Sequence, residues 1–380
     1  MKIAIVAGET SGDMLAAKLI SSLRADNPNN YFFGIGGPLM QEQGCHCLFS
    51  MHEISVMGVD QLLTRIGHIL ALRRRLRDFI LQQRPAVFVG VDVPDFNLGL
   101  EVDLRKSGIP CVHYVSPTVW AWRGYRIHKI ARAVDRMLTL FPFEAEFYRR
   151  HHIPVTYVGH PLACEIASME SVQVSREVLN LNVAQRLVAV LPGSRVSEVE
   201  RLFPIFLATI KILAREFPGI RWLIPAVNQQ MYSKMAVLCQ QLAPQLSIDL
   251  RLGQSRRILN ASDIALLASG TAALEAALLQ TPMVVAYRVS SFTSLLVRIF
   301  RSVDYFAMPN HLTAQPVVPE FLQSRASPQR LSAAVRDLLS NRESRERQSL
   351  AFSILPELMQ QPTNSLAADA VMQVASCAQK

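Results

Sequence analysis

Along the chain, short runs of β-branched and aromatic residues alternate with longer stretches whose apolar positions recur at helical spacing. The first block predicts strands at Ile3 to Ala7, Tyr31 to Ile35, Ala86 to Val91, Pro110 to Val115, Arg136 to Leu140 and Val155 to Val158. The pattern restarts after His160-Pro161, with strands near Leu187 to Leu191, Arg221 to Pro225, Ser247 to Leu252, Ile264 to Leu267 and Met283 to Ala286. Helical stretches fit between most of them, which is the signature of parallel α/β architecture. Two blocks of similar size predict two Rossmann-like halves: residues 1–163, then 164–345, followed by a helical tail over 346–380 broken by Pro356 and Pro362.

Composition narrows the setting. Half of the 380 residues are hydrophobic, 18% are charged and the mean hydropathy is +0.20, too apolar for a disordered chain. The longest stretch free of Asp, Glu, Lys and Arg, Ser107 to Trp122, holds 16 residues and two prolines, short of the roughly 20 a spanning helix needs. The N-terminus turns polar after a few apolar residues and does not read as a secretory signal, so the cytoplasm is the expected compartment. The six cysteines lack CxxC spacing, which indicates neither a disulfide framework nor a zinc site. Cys45-His46-Cys47 reads as reduced thiols in a loop or strand.

The net charge of +9 is concentrated locally. Between residues 61 and 84, Arg65, Arg73, Arg74, Arg75, Arg77 and Arg84 face Asp78 alone, interleaved with Leu62, Ile66, Ile69, Leu70, Leu76, Phe79 and Ile80. That predicts an amphipathic helix with a basic face. A second stripe runs through Arg123, Arg126, Lys129, Arg132 and Arg136. Either is an ordinary solvated face or an anionic-membrane contact, at about 1 kcal/mol per cation near such a surface. No base-reading motif accompanies them, so nucleic acid is not the expected partner.

Three loops fall where strands give way to helices, the places where open α/β sheets bind ligands. AGETSGD (7–13) lacks both GxGxxG and the Walker lysine, and Glu9 at its mouth would repel a phosphate. VGVDVPDFN (89–97) delivers Asp92 to a strand end, where a carboxylate is either a helix cap or a catalytic group; Asp92 and Asp95 do not have the DxD spacing of metal-dependent sugar transferases. LPGSR (191–195) offers backbone N–H groups, Ser194 and Arg195 to an anion, and ASGTAALE (268–275) offers Ser269, Gly270 and Thr271, with Glu275 one turn on at a spacing suited to ribose hydroxyls. Together these two describe a nucleotide diphosphate site.

AGETSGD, VGVDVPDFN, HYVSPTVWAWR, LPGSR, LLASGTAALE and DYFAMPN occur in this order, and over essentially the whole chain the sequence resembles the lipid-A-disaccharide synthases of Gram-negative bacteria, glycosyltransferases of the GT-B fold with two Rossmann-like domains facing across a cleft. The resemblance implies an inverting transfer, without metal or cofactor, from UDP-2,3-diacylglucosamine to 2,3-diacylglucosamine 1-phosphate, giving the β(1→6) disaccharide and UDP. It implies Asp92 as general base, Glu9 in support, Asn310 at the active site, and Ser11, Asp13 and Arg123 on the acceptor side. Ser194, Arg195, Ser269, Gly270 and Thr271 would receive the phosphates, with Glu275 on the ribose. After Asn310 the sequence continues His311-Leu312, a local departure from the family pattern. His52, His113 and His160 are alternative bases, each read as structural, and Trp120 and Trp122 divide between core packing and sugar stacking. Acylated substrates would place the enzyme at the cytoplasmic face of the inner membrane, docked through Leu62, Ile66, Ile69, Arg73, Arg74 and Arg75, and the tail permits either a crossing back onto the first half or a homodimer that exchanges C-terminal parts. A UDP-sugar 2-epimerase of similar two-half architecture and a non-catalytic, membrane-binding nucleotide sensor are the competing classes.

Overall fold

The structure, a computed structural model, describes residues 1–54, 59–121, 124–289 and 304–377, with backbone alone for 59–65. It divides into two compact units, Met1–Pro161 with Met359–Lys380, and Leu162–Leu358. Helix Arg342–Phe352 stays with the second unit, while helix Thr363–Cys377 joins the first. The physical reason is its apolar face: Ala367, Val371 and Val374 are buried in the core of the first unit.

The first unit is a seven-stranded parallel sheet: β1 (Lys2–Ala7), β2 (Tyr31–Gly36), β3 (His46–Ser50), β4 (Val87–Val91), β5 (Cys111–Tyr114), β6 (Arg136–Thr139) and β7 (Val155–Tyr157), in the order β3-β2-β1-β4-β5-β6-β7. The sheet is covered on both faces, which is why its strands read as continuous apolar runs. Ile3, Ile5 and Ala7 pack towards helix Thr10–Asp26 and the last helix. Ala4 and Val6 point the other way, onto Leu72, Leu76, Ile80 and Leu100. Strand β3 accounts for the Cys45-His46-Cys47 segment; it is a half-buried edge strand.

The second unit is a six-stranded parallel sheet: β8 (Leu187–Leu191), β9 (Arg221–Ala226), β10 (Ile248–Leu252), β11 (Ile264–Ala268), β12 (Met283–Tyr287) and β13 (Glu320–Leu322), in the order β10-β9-β8-β11-β12-β13. Helix Val196–Glu216 lays Phe203, Phe206, Ile210 and Leu213 on this sheet beside Leu331, Val335 and Leu338 of helix Pro328–Ser340.

Each sheet reverses its strand order once, between β1 and β4 and between β8 and β11, and such a reversal opens a crevice at the carboxyl ends of the two strands. The registers Ala7↔Val91 and Leu191↔Leu267 bring the paired loops out side by side. All the polar loops singled out in the sequence except the one around Asn310 begin at or next to these two points.

The basic helix, Val59–Gln83, spends much of its apolar row on the core. Leu72, Leu76 and Ile80 are buried four residues apart, and Ile69 is half-buried against the same cluster. Ile66 is exposed, as are Arg74 and Arg75, whereas the Arg73 guanidinium lies against Gly99. The Leu62 side chain and Arg123 lie outside the described residues. The second basic stripe is partly spoken for: Arg126 bonds Asp95 at 2.5 Å, and Arg136 reaches Thr156 and Gln373.

Candidate active site

At the crevice of the first unit, Glu9 immediately precedes helix Thr10–Asp26 in an extended conformation, and Glu9 and Ser11 are exposed. Asp13 behaves differently from the acceptor-side role expected of it. It is 1% exposed, and its carboxylate accepts from the backbone N–H groups of Gly37, Leu39 and Met40 at 2.9–3.1 Å. The start of helix Pro38–Glu42 supplies N–H groups with no acceptor of their own, so Asp13 satisfies them and ties two βα loops together.

Asp92 leaves β4 with φ 56°, and Val93 follows with φ 43°. Left-handed backbone is unusual for aspartate and a true outlier for a β-branched valine, at about 1–3 kcal/mol per residue. Several contacts hold the turn. The Asp92 N–H donates to the Tyr114 carbonyl at 2.8 Å, and the buried Asn97 amide donates to the Asp92 carbonyl at 2.8 Å. Gly8 makes room for the valine: a Cβ there would stand 2.6 Å from Val93 Cγ2. The Asp92 side chain is left half-buried at the mouth, with no hydrogen bond or ion pair from any described residue. This is a strained elbow that presents one carboxylate.

Beneath it, Glu101 and His113 are fully buried and bonded at 2.7 Å (Oε1 to Nδ1). Gly90 admits them, because a Cβ on that strand would meet Glu101 Oε1 at 2.2 Å. Burial pushes the Glu101 carboxyl up, against the pull of His113. His113 is thereby a core residue. The VSPTVWAW segment is anchored from below: Trp120 Nε1 donates to Glu144 Oε1 at 3.2 Å, the ring packs edge-on to Phe143, and Ser116 shares a hydrogen bond with Tyr148. Burial raises the Glu144 carboxyl to about 8, its hydrogen bonds from Trp120 and Phe141 opposing the shift. Trp120 packs in this cluster; Trp122 lies outside the described residues.

At the crevice of the second unit a cavity of ≈ 550 Å³ is lined by Ser194, Arg195, Glu198, Ser269, Gly270, Thr271, Glu275 and neighbours, including Tyr287 at the end of β12. Every phosphate-loop residue expected from the sequence is here, in a single pocket. Gly270 and Thr271 start helix Thr271–Leu278, their N–H groups have no acceptor among the described residues, and a Cβ at Gly270 would meet nothing within 4 Å. Ser269 is turned more inward, its N–H on the Ala286 carbonyl and its hydroxyl on the Phe306 carbonyl. The Arg195 guanidinium is 77% exposed. Glu275 is held by Arg256 at 2.8 Å, and Arg256 also takes Glu165.

Asn310 does not line this cavity. It is 6% exposed; its Oδ1 accepts from Val317 and Val318, and its Nδ2 donates to the Val318 carbonyl and Glu320. All its hydrogen-bonding capacity is used in bracing the segment before β13, which is a structural task. Glu198, which lines the pocket, and Arg256, which holds Glu275 from behind it, are charged residues that the sequence reading missed. Glu198 was legible as the third helical residue of a capping pattern after Arg195; Arg256 carried no local signal.

Two parallel α/β sheets, each with a ligand loop pair at its strand-order reversal, define the GT-B class of architecture, and solved structures agree on the fold. A UDP-GlcNAc 2-epimerase from Neisseria meningitidis bound to UDP-GlcNAc superposes with TM-score 0.64 at 14% identity, covering 99% of this chain and 100% of that one. The glycotransferase of kitacinnamycin gives 0.61 at 15%, covering 98% of each. Sequence comparison goes further: residues 3–374 match the family described as Lipid-A-disaccharide synthetase. The lipid-A-disaccharide synthase of Chromobacterium violaceum is 44% identical over 99% of this chain and 98% of that one, and that of Erwinia tasmaniensis 41% over 98% of each. The chain belongs to the lipid-A-disaccharide synthase family and is a glycosyltransferase. No helix among the described residues is long and apolar enough to cross a membrane.

Proposed function

We propose that the protein transfers a diacylglucosamine from its UDP carrier to the 6-hydroxyl of 2,3-diacylglucosamine 1-phosphate, giving the β(1→6) disaccharide and UDP. The observation that carries the residue assignment is the strained elbow at Asp92, which presents a carboxylate that no described residue pairs, at a sheet's ligand-binding end. Asp92 takes the proton of the acceptor hydroxyl as its oxygen attacks the anomeric carbon; the bond from that carbon to the diphosphate breaks and UDP leaves with inversion. Glu9 and Ser11, exposed beside it, serve the acceptor. In the second unit the N–H groups of Gly270 and Thr271 and the Arg195 guanidinium take the charge that develops on the diphosphate, with Ser194 and Ser269 beside them and Glu275 on the ribose.

Ile66, Arg74 and Arg75 are exposed on one helix, which supports docking at an anionic cytoplasmic leaflet where acylated substrates reside. Incubation with the UDP-diacylglucosamine and the acylated sugar phosphate tests the reading: disaccharide plus UDP supports it, while an epimerised UDP-sugar points to the neighbouring class. Asp92→Asn is expected to lower turnover by about 10²–10⁴-fold with UDP affinity retained, and loss of both together would refute the assignment of Asp92.

A further inference from the structure

One of the two anion-facing loops of the second-unit cavity, residues 191–195, is already occupied from within. Glu198 folds back from the first turn of helix Val196–Glu216, and its Oε2 accepts from the backbone N–H groups of Ser194 at 3.1 Å and Arg195 at 3.2 Å. Its other oxygen lies 3.8 Å from the Arg195 guanidinium. Gly193, at φ 121°, lets the carboxylate lie so close, since a Cβ there would stand 2.6 Å from both Glu198 Cβ and Oε2. Glu198 is thus seated on donors that the loop would otherwise offer to a phosphate.

Charge makes the point sharper. Arg195 is the one cation among the described residues that line the cavity, against Glu198 and Glu275, and Arg256 behind the wall is engaged by Glu275 and Glu165. At this loop, unlike at Gly270 and Thr271, a diphosphate meets N–H groups and a guanidinium already facing a carboxylate. It gains its full set of contacts only by taking the place of that carboxylate.

We propose that Glu198 is a displaceable placeholder for the donor's phosphate: ligand and side chain compete for the N–H groups of Ser194 and Arg195, so Glu198 weakens diphosphate binding and helps to eject UDP. This rests on the reading of the cavity as the UDP site. Removing the charge while keeping the shape, as in Glu198→Gln, leaves an acceptor for the loop that a phosphate displaces more easily. Glu198→Asp keeps the charge but shortens the reach to both N–H groups.

Calorimetry with the full-length protein tests this with UDP and uridine as titrants. Glu198→Gln is expected to bind UDP about tenfold more tightly than wild type, a change of about 1.4 kcal/mol, and Glu198→Asp to gain less, with uridine affinity the same in all three. UDP affinity at or below the wild-type value in both variants overturns the placeholder, and so does a parallel gain for uridine. Wild type that binds no UDP overturns the donor-site reading itself, a result separable from the others because it appears before any substitution is made.

Discussion

Glu144 makes the stability of the first unit depend on pH in a calculable way. Its carboxyl is 3% exposed and bonded to Trp120, with Tyr148 and, against Phe141, His160 nearby. Burial raises it from 4.5 to about 8. The folded chain therefore holds a proton that the unfolded chain loses above pH 4.5, and the sign follows: the contribution of this group is fully present below pH 4.5, declines as pH rises, and is lost above about 8. Each unit of pH in that window costs about 1.4 kcal/mol, a total near 5 kcal/mol. Glu144→Gln cannot titrate, so wild type should lose about 2 kcal/mol relative to the variant between pH 6 and 7.5. Urea unfolding followed by tryptophan fluorescence in a Trp222→Phe background reports on the first unit, because Trp222 belongs to the second core. Parallel pH dependence of the two proteins would refute the reasoning.

Three other perturbations follow from the same geometry. Gly8→Ala pushes a methyl to 2.6 Å from Val93 Cγ2 and 2.9 Å from Ile54 Cδ1; thermal melting should show a loss of about 1–3 kcal/mol, and turnover should fall further than stability explains because the elbow shifts. Asp13→Ala strands three N–H groups at the start of helix Pro38–Glu42, and chemical denaturation should register a loss of about 3 kcal/mol with UDP binding unaltered. Reversing the charge of Arg73, Arg74 and Arg75 together should abolish sedimentation with anionic vesicles; unchanged sedimentation sinks the docking proposal.

Much of this was legible in the alternation of apolar runs, because buried parallel strands must be apolar on both faces. The two strands missed, β3 and β13, are half-buried edge strands of mixed composition; β7 and β10 are half-buried too, but their β-branched or alternating apolar residues still show. The phosphate loops were legible because glycine, serine and small helix-starting residues have few other reasons to follow a buried strand. What the sequence hid is which polar groups turn inward. Asp13 and Asn310 have the composition of site residues, but whether a carboxylate or amide faces solvent or a neighbouring loop depends on N–H groups 24 to 27 residues away for Asp13. The left-handed pair at Asp92 and Val93 was equally hidden, since valine is the residue least expected there.

The placement of helix Thr363–Cys377 sets an order of assembly. The second unit is contiguous, Leu162–Leu358, so its core is complete once that stretch has been synthesised. The first unit begins earlier and finishes later: the apolar face of helix Thr10–Asp26 and its sheet waits for Ala367, Val371 and Val374, which follow the whole second unit along the chain. A chain stopped after Leu358 should fold its second half and aggregate through its first, visible as a soluble proteolytic core of 162–358. The half that starts first is completed second, and until helix Thr363–Cys377 emerges the nascent chain carries an open apolar seam that this helix closes.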